Sequence, residues 1–86
     1  MDNMNYKISR HAVEQMKKRN ISEEIVDKII NQPEQIINEE TYTIYQSLLD
    51  ENGKTYLHRV FLNTKNNPYV VITVYKTSKT DKYYEG

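Results

Sequence analysis

Side chains that can contact a phosphate are concentrated at the C-terminal end, in the stretch ITVYKTSKTDKYYEG. Lysine ammonium groups and hydroxyls can bind phosphate oxygens, and a tyrosine can stack on a base or donate a hydrogen bond to an oxyanion. The alternative is an exposed strand end followed by a solvated tail. The residues concerned are Lys76, Thr77, Ser78, Lys79, Tyr83 and Tyr84.

His11 is the sharpest candidate for acid–base chemistry, because it lies in the first turn of a predicted helix. Unpaired backbone N–H groups and the positive end of the helix dipole favour an anion there and disfavour an imidazolium. A neutral imidazole can act as a general base. The alternative is a surface or half-buried histidine with a structural hydrogen bond, and helix position alone favours that alternative.

Arg59 interrupts the apolar stretch TYLHRVFLN. Strand alternation places it on one face with Leu57 and Phe61, and places His58 on the opposite face. An arginine inside a strand either pairs with a carboxylate or faces a cleft, where its planar fork suits phosphate. It can equally lie on the open face of a one-sided sheet, and the pattern does not decide which face the helices cover.

Several kinds of chemistry are excluded by composition. The chain has 86 residues with no cysteine and two glycines, so it holds no disulfide, thiolate ligand, cysteine nucleophile or glycine-rich phosphate loop. No group of His, Asp and Glu has metal-ligand spacing, and we predict neither a metal nor a cofactor. No apolar run approaches the roughly 18 residues of a membrane span. We therefore expect a cytoplasmic protein without a membrane partner.

The formal net charge is zero, but the charge is unevenly distributed. Residues 1–20 hold five basic and two acidic side chains, residues 21–51 hold one basic and eight acidic, and residues 52–86 hold six basic and two acidic. If the two basic ends meet in space, a neutral chain can present a local positive field.

Two helices are predicted in the N-terminal third. The first follows Ser9 as N-cap and ends at Asn20, which can adopt the left-handed conformation. The second is capped by Ser22, carries the apolar stripe of IVDKII and stops before Pro33. A very short turn joins the two helices.

Strand signals follow from residue 35 onward. A short strand is predicted in EQIINEE, and longer ones in TYTIYQSLLD, TYLHRVFLN and YVVITVYKT. Asn52-Gly53 is the strongest hairpin signal. Helices first and strands afterwards predict an α+β fold, with both helices on one face of a three- to four-stranded antiparallel sheet.

Three segments in this order, ISRHAVEQMKKRNIS, LHRVFLN and VVITVYKTSKTDKYY, resemble the domain-of-unknown-function family 4258. The resemblance runs from residue 8 to about residue 84. Gln15 stands where many relatives have Arg, and Asn20 where many have Gly. The family is similar in fold to RelE-like toxins and small metal-independent ribonucleases, so the resemblance implies that residues 1–86 form a single RelE-like α+β domain.

The resemblance also implies a function, a ribonuclease toxin or effector in which the ribose 2′-OH attacks the adjacent phosphate. It assigns proton transfer to His11, charge stabilisation to Arg59 and Lys79, and base orientation or stacking to Tyr83 or Tyr75. Further candidates for RNA binding are Arg19, Lys76, Thr77 and Ser78. We expect His11, Arg59 and Lys79 to converge in one basic cleft.

Two alternatives remain open from the sequence. The first is a non-catalytic module of the same fold that binds RNA or a protein, and the second is an inhibitor-like protein that uses its acidic middle segment. A toxin implies an antitoxin or immunity protein as partner, and a homodimer is left open.

Overall fold

The computed structural model describes residues 5–85, which form five strands and three helices. In chain order these are β1 (Tyr6–Ile8), α1 (Arg10–Arg19), α2 (Glu23–Asn31), β2 (Gln35–Asn38), β3 (Thr43–Glu51), β4 (Lys54–Asn63), β5 (Tyr69–Thr77) and α3 (Thr80–Tyr83).

The two predicted N-terminal helices and their caps are confirmed. The Ser9 hydroxyl accepts a hydrogen bond from the Ala12 N–H, and Asn20 ends α1 in the left-handed conformation, with φ of 56°. The Ser22 hydroxyl accepts from the Ile25 N–H at the start of α2. These caps satisfy backbone groups that each helix end leaves without a partner.

The sheet has the order β1-β5-β4-β3-β2. The prediction of three to four antiparallel strands is corrected to five strands in a mixed sheet, because β1 pairs in parallel with the start of β5. A strand of only three residues has too few alternating positions to be recognised from sequence. The other three pairings are antiparallel, and β3 and β4 form the predicted hairpin, with Asn52 at φ 50° and Gly53 at φ 81°.

A single apolar cluster lies between the two N-terminal helices and one face of the sheet. Tyr45, Val60 and Val74 are cross-strand neighbours on β3, β4 and β5 and supply the sheet side. A bulge at Phe61/Leu62 shifts the register so that Leu62 and Val71 join the same face. The buried members of the cluster are Ala12, Met16, Ile21, Val26, Ile29, Ile30, Tyr45, Val60, Leu62, Val71 and Val74.

Alternation then decides which face of β4 the helices cover. His58 shares the helix-covered face with Val60, whereas Arg59 lies on the opposite face, which we call the open face. The C-terminal segment from Thr80 to Glu85 folds back over part of the open face, since the Gln46 side chain donates to the Tyr83 carbonyl. Within residues 5–85, no helix combines the length and the apolar character needed to cross a membrane.

Candidate functional site

Arg59 is the centre of a polar and aromatic cluster on the open face. Its side chain is 9% exposed. Its Nε donates to Gln46 Oε1 at 2.9 Å, and its Nη1 donates to the Tyr75 hydroxyl at 2.6 Å. Both acceptors are neutral, and they sit on the strands flanking β4, directly opposite Arg59 in the register. The neighbouring strands therefore hold the guanidinium in one orientation.

No carboxylate forms an ion pair with Arg59 within residues 5–85, where the only ion pairs involve Glu51. A guanidinium carries five N–H donors, and two of them are used by Gln46 and Tyr75. Burial of a charge without a counter-charge is costly, because the lost hydration is only partly replaced by neutral acceptors. The remaining donors are suited to an anion with two or more oxygens.

Aromatic rings surround the guanidinium and continue across the sheet. The Arg59 Cζ lies 4.8 Å from the Tyr83 ring centroid, 5.4 Å from that of Phe61 and 5.6 Å from that of Tyr75. Phe61 in turn lies 5.8 Å from Tyr75 and 5.4 Å from Tyr42, measured between centroids. Tyr75 and Tyr83 are edge-on at 6.4 Å. Such rings stabilise a cation through their faces and also provide surfaces on which a planar base can stack.

The C-terminal segment is attached to β2 and β3 by hydrogen bonds at its end. Gln46 Nε2 donates to Gln35 Oε1 and to the Tyr83 carbonyl, and the Glu85 N–H donates to Gln35 Oε1. The Gln35 side-chain amide donates in return to the Glu85 carbonyl. Gln46 thus contacts both Arg59 and the segment that carries Tyr83, so the position of the Tyr83 ring depends on the same amide that orients the guanidinium.

One stripe of α1 borders this cluster. Arg19 lies with its Cζ 5.7 Å from the Tyr75 ring centroid, and its Nε donates to Gln15 Oε1 at 3.0 Å. His11, Gln15 and Arg19 are four residues apart and therefore lie on the same side of the helix. Arg19 brings that side to the open-face ring of Tyr75. His11 is exposed at the far end of the stripe, and its side chain makes no hydrogen bond or ion pair within the described part of the chain.

The remaining predicted site residues are divided between the two faces. Lys76 faces away from Arg59, on the helix-covered side, where its Nζ donates to Glu51. Thr77 lies on the open face of β5, and its hydroxyl accepts a hydrogen bond from the Lys79 N–H. Ser78 and Lys79 are exposed just before α3.

The structure therefore brings together Arg59, Tyr75, Tyr83 and Arg19. No contact joins His11 or Lys79 to Arg59 among residues 5–85, and Lys76 lies on the other side of the sheet. The expected convergence of His11, Arg59 and Lys79 is not a direct contact in this structure.

Sequence reasoning missed Gln46, Phe61 and Tyr42 as members of the cluster. The signal for Gln46 was present, because the two-residue turn at Asn52-Gly53 pairs Glu51 with Lys54 and thereby places Gln46 opposite Arg59. A polar residue in an apolar strand facing an arginine across a hairpin indicates a shared site. Phe61 was assigned to the Arg59 face, but its role as a neighbouring ring depends on which face stays uncovered.

Comparison with known proteins identifies the family. A search of curated proteins and a search of solved structures each found no match to this chain. The family model described as "Domain of unknown function (DUF4258)" matches residues 8–76, which include both N-terminal helices, Arg59 and Tyr75. Since the match covers most of the 86 residues, the chain belongs to the DUF4258 family.

Proposed function

We propose that this chain binds single-stranded RNA across the open face of its sheet and cleaves it without a metal ion. The single observation that carries the proposal is Arg59, a buried guanidinium held by neutral acceptors and aromatic rings, with no counter-charge in the described chain. A phosphodiester supplies the missing anion in a geometry that the planar fork of arginine matches.

The row of rings favours RNA over a free anion as the ligand. Tyr42, Phe61, Tyr75 and Tyr83 follow one another across the sheet at spacings of 5.4–6.4 Å. Stacking of unpaired bases on aromatic side chains is the main way in which proteins bind single-stranded RNA, and a cation beside the rings binds the backbone. Arg19 adds a second cation next to Tyr75.

The proposed reaction starts with attack of a ribose 2′-oxygen on the adjacent phosphorus. His11 takes the 2′-OH proton, the P–O5′ bond breaks, and the 5′-oxygen leaves with a proton from water. The products are a 2′,3′-cyclic phosphate and a 5′-hydroxyl. Arg59 and Lys79 stabilise the charge on the phosphoryl oxygens, while Tyr75 and Tyr83 stack on the flanking bases. What supports this role for His11 is its position on the same side of α1 as Arg19, whose guanidinium lies 5.7 Å from the Tyr75 ring centroid.

The test is RNA digestion in the presence of EDTA with the wild type, His11→Ala and Arg59→Met. We expect the wild type to release fragments with 2′,3′-cyclic phosphate ends. His11→Ala should lower the rate about 100-fold or more while leaving RNA affinity unchanged, since a general base contributes at that scale. Fragments produced by all three proteins at equal rates would come from a contaminant and would overturn the proposal.

A second candidate is a non-catalytic RNA-binding module. The observation that favours it is the absence of a contact between His11 and Arg59 in the described chain. This function predicts RNA binding that weakens as salt concentration rises, loss of binding in Arg59→Met, and no fragments from any of the proteins.

An antitoxin or immunity protein is the partner that the ribonuclease proposal requires in the producing cell. The open face is where such a partner would block RNA, because Arg59 and the rings lie there. RNA and the partner should therefore compete, and Arg59→Met should weaken both.

A further inference from the structure

A second polar cavity lies on the other side of the sheet from Arg59, beside the β3–β4 hairpin. Its volume is about 280 Å³. It adjoins a more apolar groove of about 570 Å³ along α1 and the start of α2, with which it shares Asn20 and Glu51. The polar cavity is lined by Asn20, Glu51, Asn52, Lys54, Tyr56 and Lys76.

His58 is buried behind the wall of this cavity, next to its lining residues Glu51 and Lys76. It is 1% exposed, and neither of its ring nitrogens has a hydrogen-bond partner within the described chain. The Nε2 atom is 4.0 Å from Glu51 Oε2, and Glu51 lines the cavity. Buried polar groups almost always have a partner, because each unsatisfied donor or acceptor costs free energy. A partner that enters through the cavity would satisfy His58.

The charge around the cavity favours an anion. The Glu51 carboxylate accepts two hydrogen bonds from Lys76 Nζ, at 2.8 and 3.0 Å, so these two charges largely neutralise each other. Lys54 Nζ lies 5.7 Å from the Tyr56 ring centroid, and Lys76 Nζ lies 5.3 Å from it. Lys54 makes no ion pair within residues 5–85. The lining thus carries one excess positive charge and several N–H donors.

We propose that this cavity binds a phosphate monoester with an apolar or aromatic body. The phosphate oxygens accept from Lys54, Lys76 and the imidazole of His58, and the body extends into the adjoining groove along Val13, Met16 and Ile25. A phosphate offers three terminal oxygens to these donors, whereas a carboxylate offers two. This site is independent of the proposed RNA function, since His58 and Arg59 face opposite sides of β4.

The experiment follows the imidazole nitrogens of His58 and His11 by NMR while phenyl phosphate is added to the protein. We expect a saturable change at His58. Inorganic phosphate should cause the same change with about tenfold weaker affinity, because it lacks a body that can bury apolar surface. Phenol, which lacks the phosphate, should cause none.

The decisive variant is Lys54→Gln, because Lys54 is exposed and its replacement leaves the fold intact. We expect it to weaken the His58 response about tenfold through loss of one charge-assisted hydrogen bond. Lys82→Gln, which removes an exposed lysine from α3, is the matched control and should leave the response unchanged. The proposal is overturned if His58 does not respond to phenyl phosphate, or if both variants respond as the wild type does.

Discussion

Arg59 and His58 are consecutive residues of β4 and are both buried, but their polar atoms differ in how far they are hydrogen-bonded. Arg59 is oriented by Gln46 and Tyr75, and three rings surround its charge. His58, on the helix-covered side, has no hydrogen-bond partner for either ring nitrogen in the described chain. The Arg59 side chain is pre-organised for an anion, whereas His58 has only the Glu51 carboxylate nearby, at 4.0 Å.

The difference shows how neighbouring positions of one strand can serve separate surfaces. On the open face, polar groups from three adjacent strands lie side by side. Several contacts therefore offset the desolvation free energy of the buried guanidinium. On the helix-covered face, His58 is buried beside Glu51 and Lys76, which form an ion pair with each other. Substitutions of Arg59 and of His58 should therefore affect different functions, and each can be compared with its own effect on stability.

The largest expected effect comes from Arg59→Met. RNA binding and cleavage should fall about 100-fold, because the variant loses the only buried cation on the open face of the described chain. The free energy of unfolding should stay equal or rise by about 1 kcal/mol, since an apolar side chain of similar length avoids the burial of an unpaired charge. Urea denaturation and RNA titration measure the two quantities on the same sample.

Arg10→Met is the matched control for that variant, because Arg10 is an exposed arginine in the first turn of α1. It should leave RNA affinity within about twofold of the wild type. A large loss of stability in Arg59→Met with RNA binding intact would reverse the comparison and make Arg59 a structural residue.

Most of the fold was predictable because local signals and the hydrophobic pattern agree. Ser9 and Ser22 cap their helices through their hydroxyls, whereas Asn20 and the Asn52-Gly53 turn act through positive φ, and the structure confirms all four signals. The strand β1 was missed because only three residues pair, and their partner lies more than sixty residues away. Pairing at that separation depends on the assembled sheet rather than on local sequence.

The candidate site was predictable only in part. The alternation of β4 separated Arg59 from His58, but it could not identify the face that the helices leave open. The placement of Tyr83 over Arg59 depends on Gln46 and Gln35, which hold the C-terminal segment through hydrogen bonds to its backbone. Such contacts leave no periodic pattern, so the sequence could not distinguish an ordered segment over Arg59 from a solvated tail.

Tyr83→Ala tests whether the ring over Arg59 binds RNA. If the ring stacks on a base, affinity for a short single-stranded RNA should fall about tenfold, which is the scale of one base–aromatic contact. Tyr84→Ala removes the neighbouring tyrosine, whose hydroxyl donates a hydrogen bond to Glu34, and should lower RNA affinity less. Tighter binding by Tyr83→Ala would instead mean that the ring blocks Arg59 and has to move before RNA can bind.

His58→Leu should raise the free energy of unfolding by about 1 kcal/mol. The substitution removes two buried nitrogens without partners and keeps a similar volume, so it relieves a desolvation cost without opening a large cavity. RNA cleavage should be unchanged, whereas phenyl phosphate should raise the unfolding midpoint of this variant less than that of the wild type. Thermal or urea denaturation in phosphate-free buffer measures the stability, and a destabilised His58→Leu would show that the imidazole makes favourable contacts.

The smallest expected difference is in the pH dependence of stability. Burial lowers the pKa of His58 below its ordinary value of 6.5; it outweighs the nearby Glu51 carboxylate and the Tyr56 backbone, which both raise the pKa, and Lys76 lowers it slightly further. Below about pH 6.5 the unfolded chain therefore binds a proton that the folded chain resists, so this term makes the protein less stable as the pH falls. Urea midpoints at about pH 7.5 and about pH 5.5 should differ more for the wild type and for His11→Gln than for His58→Leu. Equal losses in all three proteins would assign the acid sensitivity to carboxylates and would remove His58 as its source.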